Sequence, residues 1–272
     1  MRTPFRGAAN IAAALIVLAS VLLLAGCQTA PTSGNANAAG SAGTGAGVTA
    51  SDAALATRSG FLTDYARLAP TPGGDGVRCW KRPNVAWKTY DKVLITRMQV
   101  TLKPGGNKRV DPTDLKMLLD YFHNSLMTAL KPQIQVVDKA GPGVLVMRIA
   151  LTDLVPTNVA DSVVGTAVPY GFAAEIATGA ASGLPSGATP YLGETGIEVQ
   201  FRDGASGAIL AECEDTEVGR KYAADLNAGA AGAAQAWVGG YISSFSSWSY
   251  AKDAFDKWAA LTARRVAALR AA

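Results

Sequence analysis

The chain has 272 residues, with 25 Lys and Arg against 21 Asp and Glu, a formal net charge of +4 at neutral pH. Only 17% of the residues are charged, below the roughly 25% typical of soluble domains. Such a small, scattered positive excess excludes a nucleic-acid-binding face, which needs clustered Lys and Arg. One His and three Cys are too few for a multi-histidine or cysteine-rich metal site, so no metal or cofactor is predicted.

The first residues have the layout of an export signal. Arg2 and Arg6 precede a nearly uninterrupted apolar run over 11–24, which ends in small residues directly before Cys27. The run is shorter than the about 20 apolar residues that span a bilayer. Residues 1–26 are therefore predicted to be a cleaved signal peptide, the alternative being an uncleaved anchor helix.

The end of this segment carries a second signal. Leu24-Ala25-Gly26-Cys27 resembles the lipobox of bacterial lipoproteins. The resemblance implies that Cys27 is acylated on sulfur and anchors the protein, whereas the alternative is a chance Cys behind an ordinary signal peptide. Because bacterial lipoproteins carry more than one acyl chain, the anchor would be stable. An Asp directly after the lipidated Cys resembles an inner-membrane retention mark. The residue at this position is Gln28, which favours the periplasmic face of the outer membrane.

A segment without charge follows the Cys. Residues 28–51 are rich in Gly, Ala, Ser, Thr and Asn and cannot bury enough apolar surface to offset the entropy of ordering. Residues 27–57 are therefore predicted to be the lipidated Cys and a flexible tether with a span of roughly 30 Å. The remaining residues, 58–272, are predicted to form one periplasmic domain.

Hydrophobic periodicity predicts helices and strands along that domain. The predicted segments are a short turn or helix over 60–68, strands over 92–102, 133–137, 144–155, 196–202 and 208–216, and a last helix over 251–271. Asp111 is the expected N-cap of another helix, with Pro112 at its first position and Pro132 beyond its end. The order β-α-β-β, a Gly/Ala-rich insertion and β-β-α predicts an α/β (α+β) fold with a single sheet covered by helices.

The last two predicted strands form a hairpin. Its turn contains Asp203, Gly204 and Gly207. The Asp203 carboxylate can accept hydrogen bonds from turn amides, and both glycines can supply a positive φ.

Two low-charge segments, 162–193 and 226–251, do not fit this scheme. Both are rich in Gly and Ala, and Glu175 is the only charged residue in the first of them. Pro, Gly and Ser residues argue against membrane helices. Uncharged surface of this kind often marks an interface, and the alternative is packing against the domain's own sheet or loose loops.

Four motifs mark the domain. They are Gly-Phe-Leu-x-Asp-Tyr-x-x-Leu over 60–68, Tyr-Asp-Lys-Val over 90–93, the spacing of Glu198, Asp203 and Gly207 in the hairpin, and Phe-Asp-x-Trp-Ala over 255–259. Together they resemble a Gram-negative bacterial lipoprotein family, domain of unknown function 3313, over about 59–270. The resemblance implies an envelope location and an α/β fold. That family has no assigned reaction.

Candidate catalytic residues lack a recognised motif, so no catalytic residue is predicted. His123 lies on the predicted helix, off its apolar stripe, and no Gly-x-Ser-x-Gly elbow is present. Eight carboxylates could supply an acid–base pair, although their strand positions favour a solvated face. They are Asp153, Asp161, Glu194, Glu198, Glu212, Glu214, Asp215 and Glu217.

Two cysteines remain after Cys27. An exported chain meets an oxidising compartment, so Cys79 and Cys213 can be bridged. The alternative is two buried, small hydrophobic residues.

These features predict a non-catalytic lipoprotein with a structural or accessory role in envelope assembly or transport. Its expected partners are the membrane, through acylated Cys27, and an envelope protein or further copies of itself, but no nucleic acid. One alternative is a lipid- or glycan-binding module, and a less favoured one is a carboxylate-based hydrolase. The binding module would have an apolar cleft lined by Trp237, Tyr241, Phe245 and Trp248.

Overall fold

The chain divides into two compact units, 1–37 and 38–272, and every described residue lies in the second. The computed structural model describes residues 49–72, 76–101, 110–167, 179, 181–185, 187–189, 192–221, 229–243 and 246–271. Leu24, Ala25, Gly26, Cys27 and the rest of the predicted signal peptide lie outside these ranges. Within them, no helix is long and apolar enough to cross a membrane.

The described residues form nine strands and four helices. The strands are β1 (Thr49–Ser51), β2 (Ala69–Pro70), β3 (Arg78–Lys81), β4 (Lys92–Ile95), β5 (Gln99–Val100), β6 (Gln135–Val136), β7 (Val144–Val155), β8 (Glu194–Asp203) and β9 (Ile209–Gly219). The helices are α1 (Pro112–Leu130), α2 (Val159–Ala167), α3 (Gly229–Ser243) and α4 (Ser249–Ala271).

All nine strands belong to one mixed sheet with the order β2-β3-β9-β8-β7-β4-β6. Strand β1 pairs with β9 and strand β5 with β7. The pairs β4–β6, β4–β7 and β5–β7 are parallel, whereas the long central strands β7, β8 and β9 are antiparallel to one another. The predicted α/β (α+β) class with a single sheet covered by helices is confirmed.

Helices α1 and α4 cover one face of the sheet, called here the helix face. Asp111 caps α1 by accepting a hydrogen bond from the Thr113 amide, and Pro112 is the first helical residue. On the buried side of α1, Phe122 is 1% exposed, and its ring stacks on the Phe255 ring of α4 with 4.5 Å between centroids. This aromatic contact lies in the main hydrophobic core.

Several elements differ from the sequence prediction. The strand expected over 92–102 is two short strands, which pair in parallel with separate parts of β7. Strands β2 and β3 and helix α3 were not predicted, because the strands are very short and the helix lacks charged residues and start signals. Strand β1 lies inside the predicted tether, and its backbone pairs with the end of β9, so the folded part begins before residue 58.

The hairpin turn between β8 and β9 is held by Asp203. Its carboxylate accepts hydrogen bonds from the Ala205 amide (3.3 Å) and from the amide (3.1 Å) and hydroxyl (2.6 Å) of Ser206. Gly207 has the expected positive φ of 73°, but Gly204 is not among the positive-φ residues. Glycine is needed at 204 for a close approach, because a Cβ there would lie 2.7 Å from the Val144 carbonyl oxygen.

Candidate functional site

The central strands carry most of the candidate carboxylates, and the structure buries them. Six are at most 4% exposed: Asp153, Glu198, Glu212, Glu214, Asp215 and Glu217. The expected solvated face is therefore wrong for these six residues, because both faces of the central strands are covered. Asp161 is exposed and Glu194 is half-buried. His123 lies on the exposed side of α1.

The face of the sheet opposite the helix face is covered by residues 57–68, called here the cover segment. Glu198 of β8 accepts hydrogen bonds from the Ser59 amide (3.0 Å), the Ser59 hydroxyl (2.5 Å) and the Tyr65 hydroxyl (2.8 Å). Burial raises the pKa of Tyr65, and the hydrogen bond to Glu198 adds to that rise. Glu198 thus joins the hairpin motif to the motif over 60–68.

A second carboxylate holds the middle of the cover segment. Glu212 of β9 accepts hydrogen bonds from the Thr63 amide (2.9 Å), the Thr63 hydroxyl (2.8 Å) and the Gln200 amide group (2.6 Å), and it pairs with Arg67. Burial alone would raise the pKa of Glu212. The hydrogen bonds from Arg67, Gln200 and Thr63 outweigh burial and lower the pKa, so this carboxyl is held ionised.

Two further buried carboxylates of this face, Glu214 and Asp153, are also engaged. Glu214 pairs with Arg78 at 2.7 Å, but burial outweighs that attraction and raises the pKa of Glu214. The Thr57 hydroxyl donates to Asp153 at 3.0 Å. Because these four buried carboxylates (Asp153, Glu198, Glu212 and Glu214) all bind groups of the chain itself, their arrangement is that of a buried structural network and not of an open acid–base pair.

Two further carboxylates on β9 face the helices. Asp215 accepts a hydrogen bond from the Trp258 indole at 2.7 Å, and Glu217 pairs with Lys257. Burial and the nearby Asp215 raise the pKa of Glu217, against the opposing effect of the Lys257 ammonium group. These contacts attach α4 to the end of the sheet.

Cys79 and Cys213 are joined by a disulfide, which settles the alternative that the sequence left open. The two residues are directly opposite on β3 and β9, with their Cα atoms 4.1 Å apart. The bridge links residues separated by 134 positions and attaches the short edge strands to the centre of the sheet.

A cavity of about 440 Å³ lies between α4 and the helix face. Apolar side chains form most of its wall, including Ile197, Val199 and Phe201 from β8 and Trp258, Val266 and Leu269 from α4. Its volume is within the roughly 300–1,000 Å³ typical of small-molecule sites.

This cavity is not the cleft expected from the sequence. Trp248, expected in that cleft, is 9% exposed in the main core and donates a hydrogen bond to Asp114. The side chains of Trp237, Tyr241 and Phe245 lie outside the part of the chain that the structure describes. The sequence carried no signal for the observed cavity, because its wall combines strand and helix residues far apart in the chain.

The two low-charge segments meet near Lys221, two residues after the end of β9. The Lys221 ammonium group donates to the Ser162 carbonyl (2.7 Å), and its amide donates to the Gly187 carbonyl (2.9 Å). On α3, Gly240 packs so closely that a Cβ would lie 2.9 Å from the Lys221 carbonyl oxygen. These contacts bring both segments to one end of the sheet, called here the low-charge end.

Exposed apolar side chains concentrate at the low-charge end. Among the described residues, the exposed large hydrophobic side chains are Met117, Val155, Val163, Val238 and Ile242. Val163, Val238 and Ile242 lie in the low-charge segments, and Val155 is the last residue of β7, which leads into the first of them. Of these five residues, only Met117 lies elsewhere. Val238 and Ile242, which are 49% and 63% exposed, are four residues apart on α3 and share one side of that helix.

The fold and these sites define an α+β domain with a buried carboxylate network, an apolar cavity and a low-charge end. Residues 57–241 match the family described as Protein of unknown function (DUF3313), and the chain belongs to that family. The match ends before the motif over 255–259, which the resemblance had included. No curated protein matches the chain.

Two solved structures are similar to part of the chain. Both are PelC dodecamers from Paraburkholderia phytofirmans, one of them a single-residue variant, with 12% identity and a TM-score of 0.30. The similarity covers 63% of this chain and 96% or 98% of the PelC chains. At this TM-score, the likeness carries no argument about fold or assembly.

Proposed function

We propose that this protein is a lipoprotein, anchored through acylated Cys27 at the periplasmic face of the outer membrane. In this proposal it has a structural or accessory role in envelope assembly or transport, exerted through protein contacts at the low-charge end. The observation that carries the proposed contact is the exposed pair Val238 and Ile242 on a helix without charged residues.

The physical argument for a protein contact is desolvation. Covering an uncharged apolar surface removes apolar area from water and leaves no buried charge without a partner. The same surface can face a second copy of itself without repulsion between like charges. The engaged carboxylates on the central strands favour this role over the alternative of a carboxylate-based hydrolase.

The argument for envelope location combines two features. The lipobox-like residues precede a charge-free segment, and a disulfide joins β3 to β9. Structural disulfides persist in oxidising compartments such as the periplasm and are rare in the cytosol. The disulfide thus supports export, and Cys27 supplies the proposed anchor.

Photo-crosslinking in living cells tests the contact. A photoreactive amino acid is placed at Val163, Val238 or Ile242 of the full chain, and at Met117 as the control. Met117 is matched to these positions because its side chain is also large, apolar and 40% exposed. We expect discrete protein adducts from α2 and α3 positions and none from Met117.

Two differently tagged copies of the chain then separate the partners. An adduct that carries both tags identifies self-association, and an adduct with one tag identifies another envelope protein. Absence of adducts at all three test positions, or equal adducts at Met117, would overturn the proposed contact.

Metabolic labelling tests the anchor. Cells that produce the native chain, Cys27→Ser or the control Ser33→Ala are given an alkyne-bearing palmitate, and their membranes are fractionated. We expect label and outer-membrane location for the native chain and the control, but not for Cys27→Ser. Unchanged labelling and location of Cys27→Ser would contradict lipid anchoring.

A further inference from the structure

We propose that the cavity between α4 and the sheet binds one acyl chain of an anionic, single-chain lipid. The hydrocarbon chain would lie along the wall formed by β8 and α4. The acidic head group would be held at the rim by Lys81 and Arg265, which line the same cavity. This inference is independent of the proposed protein contact, which lies at the low-charge end.

The dimensions of the cavity suit a single chain. Its wall residues on α4 run from Trp258 to Leu269, which corresponds to a length of about 16 Å along the helix. Divided by that length, the volume gives a mean cross-section of about 27 Å². A methylene group is taken here to occupy about 30 Å³, the volume of one water molecule in the liquid. The cavity volume then corresponds to roughly fifteen methylene groups. That is one long acyl chain and not two.

Several apolar residues of the cavity wall are only partly buried, although they lie on the central strands where a filled core would bury them completely. Val199 and Phe201 point from the central strand β8 toward α4, yet both are only partly buried. Cys79 and Cys213 are also partly buried, and all four residues line the cavity. Apolar side chains beside such a space lack dispersion partners, which a hydrocarbon chain would supply.

The lining of the cavity includes two cations, Lys81 and Arg265. Lys81 is exposed at the end of β3, and Arg265 of α4 donates hydrogen bonds to the Thr71 hydroxyl and the Cys79 sulfur. The acidic residues of the lining are engaged elsewhere, since Asp215 accepts from Trp258 and Glu214 pairs with Arg78. Both cations line the cavity, and a carboxylate or phosphate that meets either of them forms a charge-assisted hydrogen bond, a bond type stronger than one between neutral groups.

The test uses photoactivatable palmitic acid with an alkyne handle, given to cells that produce the full chain. After irradiation, the protein is purified and the labelled residues are mapped by mass spectrometry. We expect label on the cavity wall of β8 and α4. Thr262→Trp, which fills the cavity from α4, should lose most of this label, whereas Ala271→Trp at the exposed end of the same helix should keep it.

The head-group contact has its own matched pair. Lys81→Gln should reduce labelling by the fatty acid but leave labelling by the corresponding fatty alcohol unchanged. Lys88→Gln, an exposed lysine outside the cavity lining, should change neither. Equal effects of Lys81→Gln on acid and alcohol would overturn the assignment of an anionic head group.

Formation of the Cys79–Cys213 disulfide, seen on non-reducing gels, shows that each variant folds. If Thr262→Trp fails this check, Ala268→Trp fills the cavity from its exposed rim instead. Unchanged labelling in a folded cavity-filling variant, or label confined to residues outside the cavity wall, would overturn the proposal.

Discussion

Individual carboxylates of this protein act mainly as hydrogen-bond acceptors inside the sheet. Glu198 receives three donors from the cover segment, and Glu212 receives donors from the same segment and from β8. A buried carboxylate is tolerated when its oxygens are satisfied in this way. Substitutions at such positions therefore test stability before they test any chemistry.

Replacing Glu198 by Gln should destabilise the domain. An amide presents one oxygen and one donor group, so at least one of the three donors from Ser59 and Tyr65 loses its acceptor. We expect the free energy of unfolding to fall by about 1.5–3 kcal/mol, as measured by urea unfolding of the full chain. The exposed control Asp120→Asn should change it by less than about 0.5 kcal/mol. A Glu198→Gln variant as stable as the native protein would contradict the network.

Asp253 on α4 should make stability depend on pH. Burial raises its pKa to about 6, and the nearby Asp256 adds to that rise. The unfolded carboxyl titrates near about 3.9, so the folded state binds this proton more tightly and loses stability as pH rises from about 4 to about 6. The neutral variant Asp253→Asn should therefore be more stable than the native protein at pH 7, by about 1–2 kcal/mol.

Urea unfolding at pH 3 and at pH 7 measures this difference. At a pH below the unfolded pKa, the Asp253 carboxyl is protonated in both the folded and the unfolded protein. The stability advantage of Asp253→Asn should therefore disappear at the lower pH. The exposed Asp120→Asn provides the control at both values. An advantage of equal size at both pH values would show that Asp253 is not the titrating group.

Among the structural elements, the short edge strands β2 and β3 depend most on a covalent link. Strand β3 has only four residues paired with β9, and β2 has two paired with β3. The disulfide fixes β3 directly to β9 at the middle of that pairing. The edge strands also hold Arg78 against Glu214, so the bridge supports the carboxylate network.

Removing the disulfide should loosen this edge. In the loop-entropy account, a bridge across this many residues stabilises the folded state by about 4–5 kcal/mol. We expect the double variant Cys79→Ala/Cys213→Ala to have a much lower unfolding midpoint in urea and faster trypsin cleavage after Arg78 and Lys81. The native chain with added reductant should behave like the double variant. Unchanged cleavage at both sites would contradict this role.

Over the whole molecule, one core joins the helices to the sheet. The motif over 255–259 has a packing explanation, because Phe255 stacks on Phe122 and Trp258 donates to Asp215. Asp256 of the same motif accepts hydrogen bonds from Tyr121 and Ser125 of α1. These residues tie α1, α4 and β9 together, so the described domain should unfold as one unit.

The variant Phe255→Ala tests whether the described domain unfolds as one cooperative unit. Removing a fully buried ring should lower the free energy of unfolding by about 3–5 kcal/mol. Far-ultraviolet circular dichroism and tryptophan fluorescence should still report a single coincident transition. Met117→Ala, a truncation at an exposed position of α1, should cost less than about 0.5 kcal/mol. Two separate transitions in the native protein would contradict a single cooperative core.

Local patterns predicted the elements whose signals lie within a few residues. Asp111 and Pro112 marked the start of α1, and apolar residues predicted the long strand β7 over its full length. The turn at Asp203 followed from turn chemistry, and the single covered sheet followed from the order of helices and strands. The export signal and the lipobox-like residues are local patterns of the same kind, and they stay predictions.

The positions of the acidic residues were decided only by tertiary structure. Alternation along β9 predicted solvated carboxylates, but their partners lie up to about 150 residues away, in the cover segment and α4. The disulfide, the low-charge end and the cavity likewise join residues that are distant in sequence. Sequence patterns report local periodicity. Burial depends instead on which elements pack against each other, and these contacts exist only in the folded protein.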